Sequence, residues 1–189
     1  MKRLKVIIML VLILAACARQ DQSPQAGDWI MFKAGMNHQP CATGCVLWLG
    51  DSNSFYMNLP ACNAGVPGIR VEGVISLIDS YLEYDPVRIF VMIGTNNKYD
   101  PDFRAQYEAM MLKLLAEGAP LYCISILPVW DDADNQWYEQ ANLQIQDLCS
   151  IHGATYIQTT GIEDEDLCDG VHLNHTGQKK FIDQITPYL

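Results

Sequence analysis

Short apolar runs that stop at Gly or Pro, with helical periodicity between them, constrain this chain more than any other feature of its sequence. Residues 46–49 (VLWL) stop at Gly50, residues 88–93 (RIFVMI) at Gly94, and residues 121–127 (LYCISIL) at Pro128; residues 154–157 form a weaker fourth run. Runs of this length suit strands buried on both faces of a parallel sheet. Between them Val71, Val74, Ile75, Ile78 and Leu82 recur at three and four residues, as do Phe103, Tyr107, Met110, Met111 and Leu114. That spacing puts each set on one helix face. Asp100-Pro101 offers an N-cap followed by a proline at the first helical position, and Gly118 with Pro120 closes that helix. Residues 137–149 and 178–188 complete four helices. The alternation predicts a three-layer α/β/α sandwich with right-handed crossovers, in one domain over residues 29–189. Half of the 189 residues are apolar and 18% are charged, enough for a substantial core and unlike disorder or coiled coil.

The first sixteen residues read as an address. Lys2, Arg3 and Lys5 precede an unbroken apolar run of eleven residues, 6–16. A membrane span needs about 20 such residues; eleven fits the core of a secretory signal. Leu14-Ala15-Ala16-Cys17 follows the order of a bacterial lipobox, so Cys17 is the expected lipidation site and new N-terminus, with ordinary cleavage as the alternative. Ala18, in place of Asp, favours the periplasmic face of the outer membrane by resemblance to bacterial sorting patterns. Residues 17–28, with Pro24 and Gly27, read as a lipidated Cys and flexible tether. The chain carries 12 basic and 22 acidic residues, a net charge of −10; losing residues 1–16 leaves −13. No basic stretch follows residue 5, which excludes nucleic acid as a partner. Of seven cysteines, six remain if Cys17 is lipidated. Disulfides are expected among them in an oxidising compartment, in a pairing the sequence leaves open, and Cys123 reads as a buried thiol.

Ligand sites in open α/β sheets lie beyond the carboxyl ends of the strands. Four short segments fall there or in the last loop. Gly50-Asp51-Ser52 puts a hydroxyl after the first strand. In Asn63-Ala64-Gly65-Val66-Pro67-Gly68, glycines before a helix can offer backbone N–H groups to an oxyanion. Gly94-Thr95-Asn96-Asn97 offers an amide, and Asp169-Gly170-Val171-His172 offers a base with a carboxylate three residues before it. Each alone reads as a turn, cap or solvated loop. A Ser hydroxyl becomes a useful nucleophile only with a base to take its proton, and His172 can be that base.

Together and in this order, the segments resemble the four blocks of the SGNH family, also called GDSL hydrolases. The resemblance spans residues 46–189. It implies a flavodoxin-like sheet of five parallel strands, and hydrolysis of esters or thioesters through an acyl-Ser intermediate without cofactor or metal. Carried over by position, it implies that Ser52 is the nucleophile, His172 the general base and then acid, and Asp169 the residue that orients it. Ser52 and Gly68 lend backbone N–H groups and Asn96 its side-chain amide to the oxyanion hole. Two positions depart from the pattern. Asn97 stands where the third block usually ends in Asp, and Ile69-Arg70 follow the second block, with Arg70 either paired to a carboxylate or near the pocket.

Other readings compete. Cys168, His172 and His175, with Cys41 and Cys45 upstream, are a candidate metal set, though their spacing follows no paired-cysteine pattern. His38, His152 and His175 otherwise read as structural or solvated. A non-catalytic surface lipoprotein, an acyltransferase on the same site and a lysophospholipase-type lipid esterase remain alternatives. The acidic stretch 130–134 reads as a loop at a strand end, solvated or lining the crevice. The chain leaves little room for a lid, which favours short acyl esters such as acetylated glycans. The protein is expected to be a monomer held to the membrane by its lipid.

Overall fold

The computed structural model describes residues 41–57, 59 and 61–189; the leader, Cys17, the tether and His38 lie outside the described residues. Five strands form one sheet: β1 (Val46–Gly50), β2 (Cys62–Gly65), β3 (Arg88–Met92), β4 (Leu121–Ile124) and β5 (Thr155–Ile157). All pairs are parallel, in the order β2-β1-β3-β4-β5. The helices are α1 (Ser52–Phe55), α2 (Val71–Leu82), α3 (Phe103–Leu115), α4 (Asp132–His152) and α5 (His175–Ile185). This is the expected α/β/α sandwich with a flavodoxin-like strand order. No helix among the described residues is long and apolar enough to cross a membrane.

Successive strand residues face opposite sides of a sheet. Leu47, Leu49, Ile89, Val91 and Cys123 therefore pack in one core with Val74 and Ile78 of α2, Tyr107 and Met111 of α3, and Ile145 of α4. Trp48, Phe90, Met92 and Ile157 pack on the other side with Phe181 and Ile185 of α5. Trp48, Phe90 and Tyr122 stand opposite one another on three adjacent strands. Their rings stack, with centroids 5.1 and 4.7 Å apart.

Five elements differ from the sequence reading. Residues 62–65, which include the start of the 63–68 segment that alone reads as a turn, form β2; Asn63 ties this edge strand to α1 and the residues after it by donating to the carbonyls of Ser54 (2.7 Å) and Met57 (3.1 Å). The run 121–127 leaves the sheet after Ile124, because the Asn142 amide replaces the ladder: its Oδ1 accepts from Ile126 N–H (2.7 Å) and its Nδ2 donates to Ile126 O (3.0 Å). The third helix starts at Phe103, and Asp100 instead holds the preceding turn by accepting from Asp102 N–H at 2.9 Å.

The largest correction concerns residues 130–134. They are not an open acidic loop: Asp131 is the N-cap of α4, accepting from the N–H groups of Ala133 (2.9 Å) and Asp134 (3.0 Å). Acidic residues in a first turn also match the positive end of the helix dipole. Asp134 is occupied by Lys98 at 2.7 Å and the Tyr99 hydroxyl at 2.9 Å. The last helix likewise starts earlier than periodicity implied, because Asn174 caps it by accepting from Gly177 N–H at 3.0 Å.

Candidate active site

The sheet order reverses at β1, which lies between β2 and β3. At the carboxyl end of β1 the chain turns sharply into α1. The turn needs Gly50, where a Cβ would stand 2.0 Å from Ser54 Oγ and 2.6 Å from Met92 O. Asp51 caps α1 by accepting from Asn53 N–H at 3.0 Å. Burial raises the Asp51 carboxyl above its ordinary pKa, opposed by bonds from Asn53 and Thr95 and by the charge of His172. Thr95 thus links the segment after β3 to the one after β1.

Ser52, the first residue of α1, meets His172 across 120 residues of sequence: Ser52 Oγ lies 2.9 Å from His172 Nε2. His172 Nδ1 lies 2.7 Å from Asp169 Oδ2, while Asp169 Oδ1 accepts the backbone N–H groups of Val171 (3.1 Å) and His172 (2.9 Å). With Nδ1–H donating to the carboxylate, Nε2 is free to accept the Ser52 proton. Desolvation pushes the Asp169 carboxyl up, but the bonds from His172 and the two N–H groups prevail and hold it below the usual range. Asp169 therefore stays ionised until the pH falls through that depressed value. Tyr56 sets its ring edge-on to the imidazole, centroids 5.3 Å apart.

Of the remaining predicted residues, Asn96 is tied to the segment that carries Gly68. Asn96 Nδ2 donates to Ile69 O at 2.9 Å, which holds the amide next to Gly68 and leaves its second hydrogen for another acceptor. Gly68 has φ +73, and a Cβ there would meet nothing within 4 Å. The position needs glycine for its backbone conformation, and the space before it is open. Arg70 pairs with Glu72 at 3.1 Å and with Asp100, which settles it as a carboxylate partner. Asn97 is fully buried; its Oδ1 accepts from Val71 N–H at 3.0 Å and its amide faces Glu72, Asp100 and Gln106 at 3.3–3.4 Å.

Sequence reading did not find Asn53 or a role for Trp130, because their partners lie far along the chain. Asn53 Nδ2 donates to Val171 O at 3.2 Å and its Oδ1 accepts from Leu173 N–H at 3.3 Å. Trp130 donates its backbone N–H to Gly170 O and its indole N–H to Asp164 O, both at 3.0 Å. Among the described residues, Cys168, His172 and His175 do not come together as a metal-ligand group, whereas the sulfurs of Cys41, Cys45 and Cys62 lie within 4.8 Å of one another. Two of these are joined as the Cys41–Cys62 disulfide, and burial pushes the Cys45 thiol pKa up. Cys123 is a buried thiol, as expected. His152 pairs with Glu108 at 2.8 Å. A groove of about 300 Å³ on the outer side of α4, reaching Tyr156 and Gln158, contains none of the site residues.

Fold and site together define a serine hydrolase of the three-layer α/β class, acting on esters. Residues 26–180 match the GDSL-like Lipase/Acylhydrolase family, and the chain belongs to it. No curated protein matches the chain. Solved structures share the fold. A Streptococcus pneumoniae protein described as a platelet activating factor is 19% identical, with TM-score 0.71, over 96% of this chain and 98% of that one. An acetyl xylan esterase is 16% identical, with TM-score 0.66, over 76% of this chain and 98% of its own. A catalytic mutant of an acetylxylan esterase from Geobacillus stearothermophilus is 12% identical, with TM-score 0.66, over 77% and 94%.

Proposed function

We propose that this protein hydrolyses short-acyl carboxylic esters, such as acetyl groups on glycans, through an acyl-Ser52 intermediate. The observation that carries this reading is the unbroken series from Ser52 Oγ to His172 at 2.9 Å and on to Asp169 at 2.7 Å. Ser52 Oγ bonds to the ester carbonyl carbon as His172 Nε2 takes its proton. The carbon–oxygen bond to the alcohol then breaks, and the imidazolium returns the proton to the departing alkoxide. Water repeats the sequence and releases the acid. Asp169 orients the imidazole and stabilises its cation. The backbone N–H groups of Ser52 and Gly68 and the amide of Asn96 stabilise the oxyanion, each donor contributing about 3 kcal/mol at the transition state. The space before Gly68, where a Cβ would meet nothing within 4 Å, is open to an ester. The acetyl xylan esterases among the structural neighbours are consistent with that substrate class.

In this reading the protein works as a monomer, held by lipid on Cys17 at the periplasmic face of the outer membrane. The test compares wild type with Ser52→Ala, both spanning residues 28–189, on p-nitrophenyl esters from acetate to palmitate. Wild type should be fastest on acetate, and Ser52→Ala should lose about 10⁴-fold or more in kcat. Rates rising with chain length would exclude the short-acyl reading, and equal rates for both proteins would exclude Ser52. For the anchor, Cys17→Ser should move the full-length protein from the membrane fraction to the soluble one.

A further inference from the structure

The segment carrying Asp169 and His172 belongs to no helix or named strand. It is a bridged turn, in which Leu167 pairs with Leu173 and Cys168 N–H donates to His172 O at 2.8 Å. Gly170 lies within it at φ +89. These local bonds shape the turn, but none of them sets its distance from Ser52, which arrives from the other end of the domain. Of the residues that reach it from elsewhere, Asn53 and Trp130 hold its two ends. Asn53, adjacent to Ser52 and only 4% exposed, grips the backbone on both sides of His172, through Val171 O at 3.2 Å and Leu173 N–H at 3.3 Å. Trp130 grips the opposite end. Its backbone N–H bonds Gly170 O, its indole N–H bonds Asp164 O, and its ring lies where a Cβ on Gly170 would come within 2.7 Å. The indole is held this way although the residue is 51% exposed.

We infer that Asn53 and Trp130 are positioning residues that mount the Asp169–His172 turn against Ser52 from its two ends. Asn53 fixes the imidazole relative to the hydroxyl, because adjacent residues of one backbone carry the nucleophile and the clamp. Trp130 fixes the Asp169 end, and with it the carboxylate that selects the tautomer and orientation of the ring. Neither side chain exchanges a proton or bonds the substrate, so their loss acts on the rate of the chemical step and not on the affinity for a small ester. The inference rests on the reading of Ser52, His172 and Asp169 given above.

The test is steady-state kinetics of the full-length protein on p-nitrophenyl acetate, with kcat referred to the folded fraction measured by circular dichroism. Displacing a catalytic group by about 1 Å can cost 100-fold. Asn53→Ala and Trp130→Ala should therefore each lower kcat about 10- to 100-fold with KM changed less than about twofold, and slow fluorophosphonate labelling of Ser52 in parallel. Trp130→Phe keeps a ring over Gly170 and loses the indole donor, so its kcat should fall between wild type and Trp130→Ala. Asn53→Ser removes less of the core and cannot span both backbone partners; its kcat should also fall, and it replaces Asn53→Ala if that variant does not fold. Folded variants with kcat within about twofold of wild type, or with KM raised and kcat unchanged, would overturn the inference. Ser52→Ala run in parallel separates the two claims: if it is as active as wild type, the reading of the site has failed rather than the mounting of the turn.

Discussion

Asn97 shows how one buried amide can decide what its position tolerates. Its oxygen accepts from the first N–H of α2, and its nitrogen faces three oxygen-bearing side chains. Asp100 is held below the usual carboxylate range, chiefly by the N–H of Asp102 and also by Asn97 and Arg70, so it is an anion at neutral pH. A carboxylate at 97 could keep the bond to Val71, but it would lose the donor and face Asp100 and Glu72. Asn97→Asp should therefore cost about 1–3 kcal/mol at neutral pH in urea unfolding. Those neighbours would raise the new carboxyl's folded pKa above its unfolded value. The penalty is thus smallest below the unfolded pKa and grows as the pH rises through the folded one; a penalty larger in acid would contradict this account. Asn96 makes a separate prediction: Asn96→Ala should lower kcat about 100-fold while leaving the fold intact, read by the same acetate assay. The candidate chemistry of Ser52, Asn96, Asp169 and His172 was legible because each sits in a short block with fixed neighbours. Asn53 was not, because its meaning lies in bonds to residues 118 and 120 positions away.

At the level of elements, apolar runs gave β1, β3, β4 and, more weakly, β5, and periodicity gave α2 and α3. Those elements bury continuous or regularly spaced hydrophobic residues, which is the signal sequence patterns carry. β2 escaped because Cys62, Asn63, Ala64 and Gly65 form a short edge strand stabilised by Asn63 and by pairing with β1, not by an apolar run. The start of α4 escaped because three aspartates look like a solvated loop until the first is seen to cap the helix. Asp131→Ala should destabilise the protein by about 1 kcal/mol, measured by urea denaturation at neutral pH, through loss of the two cap bonds. An unchanged midpoint would mean that the ties of Asp134 to Lys98 and Tyr99 hold the first turn unaided.

For the molecule as a whole, the sandwich was legible from the alternation of elements, while the disulfide pairing was not. Cys41 and Cys62 meet because β2 lies beside β1, with Cys62 opposite Leu47, and β2 was the strand the sequence hid. Closing this 21-residue separation removes freedom from the unfolded chain worth about 3 kcal/mol. Reduction, or paired replacement of Cys41 and Cys62 by Ser, should lower the unfolding free energy by about that amount. A change below about 1 kcal/mol would place the disulfide's effect on the folded state instead.

The contact between Ser52 and His172 joins the first turn after β1 to the loop before the last helix, 120 residues later. Such a contact exists only when every intervening strand has found its neighbour. A nascent or half-assembled chain has a serine and a histidine but no nucleophile. Recovery of turnover during refolding should therefore coincide with the slowest structural phase and show none of the early gain in helix seen by circular dichroism. The enzyme is silent until it is whole.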